Sequence, residues 1–174
     1  MTKTLIAAPL RASAFAPFGS VIEIGNNIAH AINGGMAERY DRLAVAEMVA
    51  CPGDTSIPRA IISLFWTKPC MAPVELTVME RHPLGSQAFM PLDGRPWLIV
   101  VAPERPRDDA SNLHAFIASG DQGVSYAPGI WHHPLLALEQ RSRFLVVDRE
   151  DTENNLEEAP LAAPVFVTLT ARDT

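Results

Sequence analysis

A chain of 174 residues, 48% apolar and 20% charged, carries enough apolar material for one buried core and excludes a disordered or coiled-coil protein. Fourteen basic residues stand against twenty acidic ones, a net charge of −6, with no Lys/Arg cluster to offset it, so nucleic acid is not an expected partner. No apolar run approaches the ~20 residues of a membrane helix, and the run from Met1 to Leu10, broken by Pro9, lacks the length of a signal segment, so a soluble cytoplasmic protein is expected.

Prolines spread from Pro9 to Pro164 predict many short elements within a single domain spanning 1–174. Ser13 to Gly19 reads as one helical turn with a glycine stop. Val21 to Ile24 reads as a strand and Asn33-Gly34-Gly35 as a turn. Met36 to Val49 has its apolar pattern interrupted by Arg39, Asp41 and Arg42, and is read as strands. Ile61 to Trp66 is a compact apolar run, with Trp66 assigned, like Trp97, to the core. Short strands follow at Val74–His82, Trp97–Ala102, Leu113–Ile117, Gly123–Ala127, Trp131–Leu138, Phe144–Asp148 and Val165–Thr170. Asp148 to Pro164 is read as an acidic loop. The pattern predicts a mainly β protein, a sandwich or barrel with a few short helices. The two cysteines, Cys51 and Cys70, lie outside any C-x-x-C spacing and suit idle, reduced thiols.

Two clusters carry the chemistry. In Val74–His82, alternation puts Val74, Leu76, Val78, Glu80 and His82 on one face, and the apolar members turn that face inward. A buried carboxylate and imidazole are expensive unless each finds a partner, which marks Glu80 and His82 as site candidates. Gln87 follows the turn Pro83-Leu84-Gly85-Ser86 and can approach His82 if the next segment pairs back. The second cluster runs from Gly123 through Pro128-Gly129 to Trp131-His132-His133. On a strand, His132 and His133 point to opposite faces, so one of them serves the interior. Trp131 could pack the barrel or wall the pocket. His30 and His114 are read as structural or exposed.

These clusters resemble the two-part cupin signature: Glu80-Arg81-His82, Gln87 and Gly94 in the first part, Gly123, Pro128-Gly129 and His132 in the second. Glu80 stands where that pattern has its first histidine, and Gln87 where it has its glutamate. The likeness sharpens in Glu80 to Phe89, Gly120 to Gly123, Trp131 to Leu135 and Phe144 to Arg149. With Asn33-Gly34-Gly35, Glu38-Arg39-Tyr40 and Asn154, these strings resemble the ureidoglycolate lyase family along nearly the whole chain.

The resemblance implies a cupin-like β-barrel (a double-stranded β-helix, or jelly roll). It implies an enzyme that cleaves ureidoglycolate into glyoxylate and urea in allantoin breakdown. His82, His132, His133 and Glu80 are the implied catalytic residues, with Arg39 and Gln87 binding substrate. His82, His132, Gln87 and Glu80 are the implied ligands of a divalent metal ion, nickel or zinc. Asp148 and Arg149 are read as a structural pair near the pocket or at a dimer contact. A homodimer is expected because pairing with a second copy would cover an open sheet edge. The competing readings are another metal-dependent cupin enzyme and a non-catalytic cupin that binds a small acid.

Overall fold

In the computed structural model, residues 3–50, 57–150 and 155–170 are described, so Cys51 and Asn154 lie outside the described residues. The principal strands are β1 (Lys3–Ile6), β2 (Gly19–Ile22), β3 (Ala60–Thr67), β4 (Val74–Arg81), β5 (Gln87–Pro91), β6 (Trp97–Ala102), β7 (His114–Ala118), β8 (Gly123–Tyr126), β9 (Trp131–His132), β10 (Ser142–Arg149) and β11 (Glu157–Thr168). The larger sheet follows the order β1–β11–β4–β9–β6–β7 and curls until β1 comes back beside β7. The smaller sheet has the order β2–β8–β5–β10–β3. The chain is therefore a mainly β, cupin-like barrel, as expected.

β6 shows how the core is divided. It is buried at every position, and its odd and even residues go to different cores. Trp97, Ile99 and Val101 pack with Phe89, Val124, Tyr126 and Phe144 between the two sheets. Leu98, Val100 and Ala102 pack with Val74, Leu76, Met79, Trp131 and Val165 inside the curl of the larger sheet. A strand apolar on both faces reads as a continuous run, which is how Trp97–Ala102 appears in the sequence.

Several expectations need correction. Strict alternation in Val74–His82 fails, because Val74, Leu76 and Met79 share one core, so the pattern slips by one residue after Leu76. The cause lies across the ladder: β11 pairs Pro160 with Val78 and Val165 with Leu76, and the register shifts between them, as at a β-bulge. Glu80 and His82 consequently face away from Val74 and Leu76. Trp66 is not core. It is 62% exposed and lies under the Arg141 guanidinium, 3.8 Å from the ring centroid. Met36–Val49 contributes only the Ala37–Arg39 strand, paired with His30–Ile32, and an isolated bridge from Met48 to Gly85. The segment read as a loop up to Pro164 already belongs to β11 from Glu157 onward. The helical turn is found at Ala12–Phe15 and buries Phe15. Cys70 donates its thiol to the Ala137 carbonyl, while His30 and His114 are exposed.

Candidate active site

Strand register builds the site. Glu80 on β4 pairs with His132 on β9, and Gln87 at the start of β5 pairs with Tyr126 at the end of β8. β10 runs antiparallel to β5, with Val147 opposite Ala88, which brings Asp148 beside Gln87. The turn before His132 has Gly129 at φ +78°, a left-handed conformation that favours glycine. The Gly129 N–H donates to the His82 carbonyl at 2.9 Å, fastening the two sequence clusters together.

Hydrogen bonds fix the ring nitrogens. A carbonyl cannot donate, so His82 Nδ1 carries the proton it gives to the Asn155 carbonyl at 2.8 Å. The buried His82 Nε2 then holds a lone pair and has no hydrogen-bond partner among the described residues. His132 Nδ1 likewise donates to the Ile130 carbonyl at 3.0 Å. Its Nε2 faces Gln87 Oε1 at 3.2 Å and Glu80 Oε1 at 3.5 Å. Gln87 is held in that orientation because its amide nitrogen points to Asp148 Oδ2 at 3.4 Å. Tyr126 is stacked on the His132 ring, with centroids 4.3 Å apart and planes 15° from parallel.

A nitrogen facing two oxygen acceptors needs a positive centre between them, either a proton or a cation. Glu80, His82 and His132 have ligand atoms all within 4.8 Å of one another, and Gln87 Oε1 adds another oxygen. Two imidazole nitrogens, a carboxylate and an amide oxygen fit a divalent cation, and the orphaned lone pair of His82 is the observation that favours it. The carbonyl partners at each Nδ1 supply the supporting shell that metal-binding imidazoles usually have.

Electrostatics differ among these groups. Burial alone would raise the Glu80 carboxyl, but the hydrogen bond from His132 and the nearby charges of His132, His82 and His133 outweigh it, and its pKa falls below the ordinary value. Burial pushes the His82 pKa down, helped by His132. Burial also lowers His133, against the raising effects of its bond to the Pro134 carbonyl and the Glu80 charge. Burial drives the Tyr126 hydroxyl far upward, keeping it neutral.

A cavity of about 370 Å³ opens on this cluster, lined by Ile61, Ser63, Phe65, Glu80, His82, Ser86, Gln87, Asp148, Arg149, Asn155 and Leu156. A neighbouring cavity of about 380 Å³ shares Phe65, Glu80 and Gln87. The fold thus brings Glu80, His82, Gln87 and His132 together. Neither His132 nor His133 lines either cavity; His133 donates its Nδ1 proton to the Pro134 carbonyl at 2.8 Å. Arg39 lies on the His30–Arg39 hairpin, paired with Asp41 at 2.6 Å, and also lines neither. Trp131 is buried in the curl of the larger sheet, so it packs the barrel. Sequence reasoning missed Asn155, which holds His82 and also accepts from the Leu84 N–H through its side chain at 2.8 Å. It also missed Tyr126, and it read Asp148 and Arg149 as a structural pair near the pocket or at a dimer contact, where both line the cavity wall. The family-like string ending in Asp148-Arg149 was the available signal.

A family model described as ureidoglycolate lyase matches residues 2–168. The chain is 51% identical over 162 residues to a ureidoglycolate lyase of Brucella melitensis biotype 2, covering 90% of this chain and 89% of that one. It is 47% identical over 156 residues to a ureidoglycolate lyase of Pseudomonas fluorescens, covering 90% of each. Among solved structures, a dTDP sugar isomerase from Desulfovibrio desulfuricans G20 superposes with a TM-score of 0.47 at 14% identity, covering 84% of this chain and 88% of that one.

Proposed function

The chain belongs to the ureidoglycolate lyase family, and from that membership we propose that it splits ureidoglycolate into glyoxylate and urea, a carbon–nitrogen lyase step in allantoin breakdown. The observation that carries this reading is the convergence of Glu80, His82 and Gln87 on one cavity, with His132 buried directly behind Glu80 and Gln87.

The bond to be broken joins nitrogen to a carbon that already bears a hydroxyl. As C=O forms, the hydroxyl proton must leave and the urea nitrogen must gain one, so the elimination is neutral in protons. Glu80, held in its ionised form, takes the hydroxyl proton. Glu80, which lines the cavity, passes that proton on to the departing nitrogen, and His132, buried with its Nε2 3.5 Å away, positions the carboxylate. Gln87 fixes His132 through its amide oxygen and, at the cavity wall, binds substrate. His82 keeps a neutral imidazole nitrogen directed at the reacting groups. His133, kept neutral by burial, is held by the bond from its Nδ1 to the Pro134 carbonyl and supports the neighbouring His132 through the backbone.

Glu80, His82, Gln87 and His132 are also the side chains that would hold a divalent ion, nickel or zinc by donor type. Such an ion, when bound, would act as a Lewis acid and lower the pKa of the substrate hydroxyl.

We place the enzyme in the cytoplasm, with a small-molecule substrate and no nucleic-acid or membrane partner. Among the described residues, no helix is long and apolar enough to cross a membrane. A homodimer is supported by β3, an edge strand of the smaller sheet that exposes Ile62, Leu64 and Trp66.

Product analysis tests the reading. Purified protein should release urea and glyoxylate in equal amounts without ammonia, and His132→Ala should lower the rate by about 10³-fold. Loss of turnover on chelation, restored by one ion, would add the metal. No urea release under any metal would sink the lyase reading in favour of a binding role.

A further inference from the structure

We infer that the buried guanidinium of Arg149 forms the subsite for the substrate's carboxylate, an inference that rests on the ureidoglycolate reading above. In that substrate the carboxylate sits on the same carbon as the hydroxyl and the ureido group. A site that offers Glu80 to the hydroxyl must therefore receive a negative charge a few ångströms away. Glu80 and Asp148 already place two acidic groups in the wall of the cavity, and they repel an arriving anion unless a cation stands beside them. Among the described residues lining that cavity, Arg149 is the only lysine or arginine, and it is 4% exposed. A guanidinium presents paired donors that match a carboxylate, which makes it the better choice for binding one bidentately.

The position of Arg149 is built by both family-like strings. It ends β10, where its backbone pairs with Ala60 of β3, and its Nη1 donates to the Glu150 carbonyl at 3.3 Å. Gly85 leaves room for its stem: a Cβ at Gly85 would come within 2.8 Å of the Arg149 Cβ and 3.5 Å of its Cδ. The turn that carries Gly85 is itself fastened. The Ser86 N–H donates to the Glu47 carbonyl at 2.9 Å, and the Glu47 N–H donates to Ser86 Oγ at 2.8 Å. The next residue is Gln87. One short stretch therefore places the amide at the reacting centre and makes space for the cation beside it.

The test compares ureidoglycolate with N-(hydroxymethyl)urea, which keeps the hydroxyl, the scissile C–N bond and the urea leaving group but has hydrogen in place of the carboxylate. Wild type should favour ureidoglycolate in kcat/KM, or in the inhibition constant if the neutral compound turns over too slowly. Arg149→Gln should lower kcat/KM for ureidoglycolate about 100-fold, mainly through KM, and weaken glyoxylate inhibition in parallel. Its effect on N-(hydroxymethyl)urea should stay within about threefold. Arg149→Lys, which keeps the charge without the fork, should lose about tenfold on ureidoglycolate alone, and it decides the matter if Arg149→Gln does not fold. Equal losses on both substrates, or a preference for the carboxylate that survives both variants, would overturn the subsite. Failure of wild type to release urea from ureidoglycolate would instead overturn the functional reading on which it rests.

Discussion

The His30–Arg39 hairpin and strand β10 each carry an arginine, yet the fold treats them in opposite ways. The hairpin strands pair only with each other, and Arg39 answers an exposed aspartate. β10 runs between β5 and β3, buries Phe144 and Val146, and delivers Asp148 and Arg149 to the cavity. The difference lies in anchorage. A charged side chain at the end of a strand held on both edges is fixed to within the tolerance chemistry needs, whereas one on an isolated hairpin keeps its freedom and its water. Substitutions in the anchored region should therefore act on rate, and those in the hairpin should not.

The largest expected effect within the anchored region is at Glu80. Glu80→Gln keeps the side chain's shape but removes the charge that would accept the hydroxyl proton. The rate should fall by about 10³-fold, carried by kcat with KM nearly unchanged. Steady-state kinetics check this; a variant with more than a tenth of the wild-type kcat would remove Glu80 as the base. If an ion is bound, metal content measured on the same sample will show whether the loss comes with its release.

A smaller effect comes from the buried imidazoles and is read in stability. Burial depresses the pKa values of His82 and His133 below the 6.5 of a free histidine. The unfolded chain then binds more protons than the folded one as pH drops below 6.5, so the contribution is fully present above that pH and is lost on acidification. Glu80, lowered from 4.5, adds a further loss below that value. On metal-stripped protein, Tm should be flat from pH 8 to 7 and lower by about 3 °C at pH 5.5. A Tm that rises on acidification through this range would contradict the burial of neutral rings.

How much of this was legible follows the same line between anchored and free. The spacing of Glu80, Gln87 and His132 could be read because each sits at a fixed register on paired strands, and His82 directly follows the last residue of β4. Simple alternation from Val74 nevertheless does not carry through to Glu80 and His82. Alternation in β4 breaks after Leu76 because β11 shifts register between Pro160 and Val165, and a lone strand's sequence carries no trace of its neighbour's bulge. Trp66 was misassigned because an apolar run on an edge strand looks the same as one in a core. Arg149 reads as structural for a related reason: its place in the cavity wall depends on space left by Gly85, more than sixty residues earlier in the chain.

The smallest effect, and the one that most sharpens the contrast, is expected at Arg39. Its partner Asp41 is exposed, and a surface ion pair of this kind contributes little to stability. Arg39→Ala should change kcat/KM for ureidoglycolate by less than about twofold and leave Tm within about 1 °C. Kinetics alongside Arg149→Gln make the comparison direct. A loss at Arg39 as large as that at Arg149 would mean that anchorage within one copy is not what matters. The hairpin would then have to reach the cavity of a second copy, where exposure in a single chain says nothing about burial in a pair. Mixing Arg39→Ala with His132→Ala would decide it. A hairpin acting across two copies predicts recovered activity in the mixture, because one cavity of each mixed dimer regains both residues. A hairpin that matters only through its own chain predicts none.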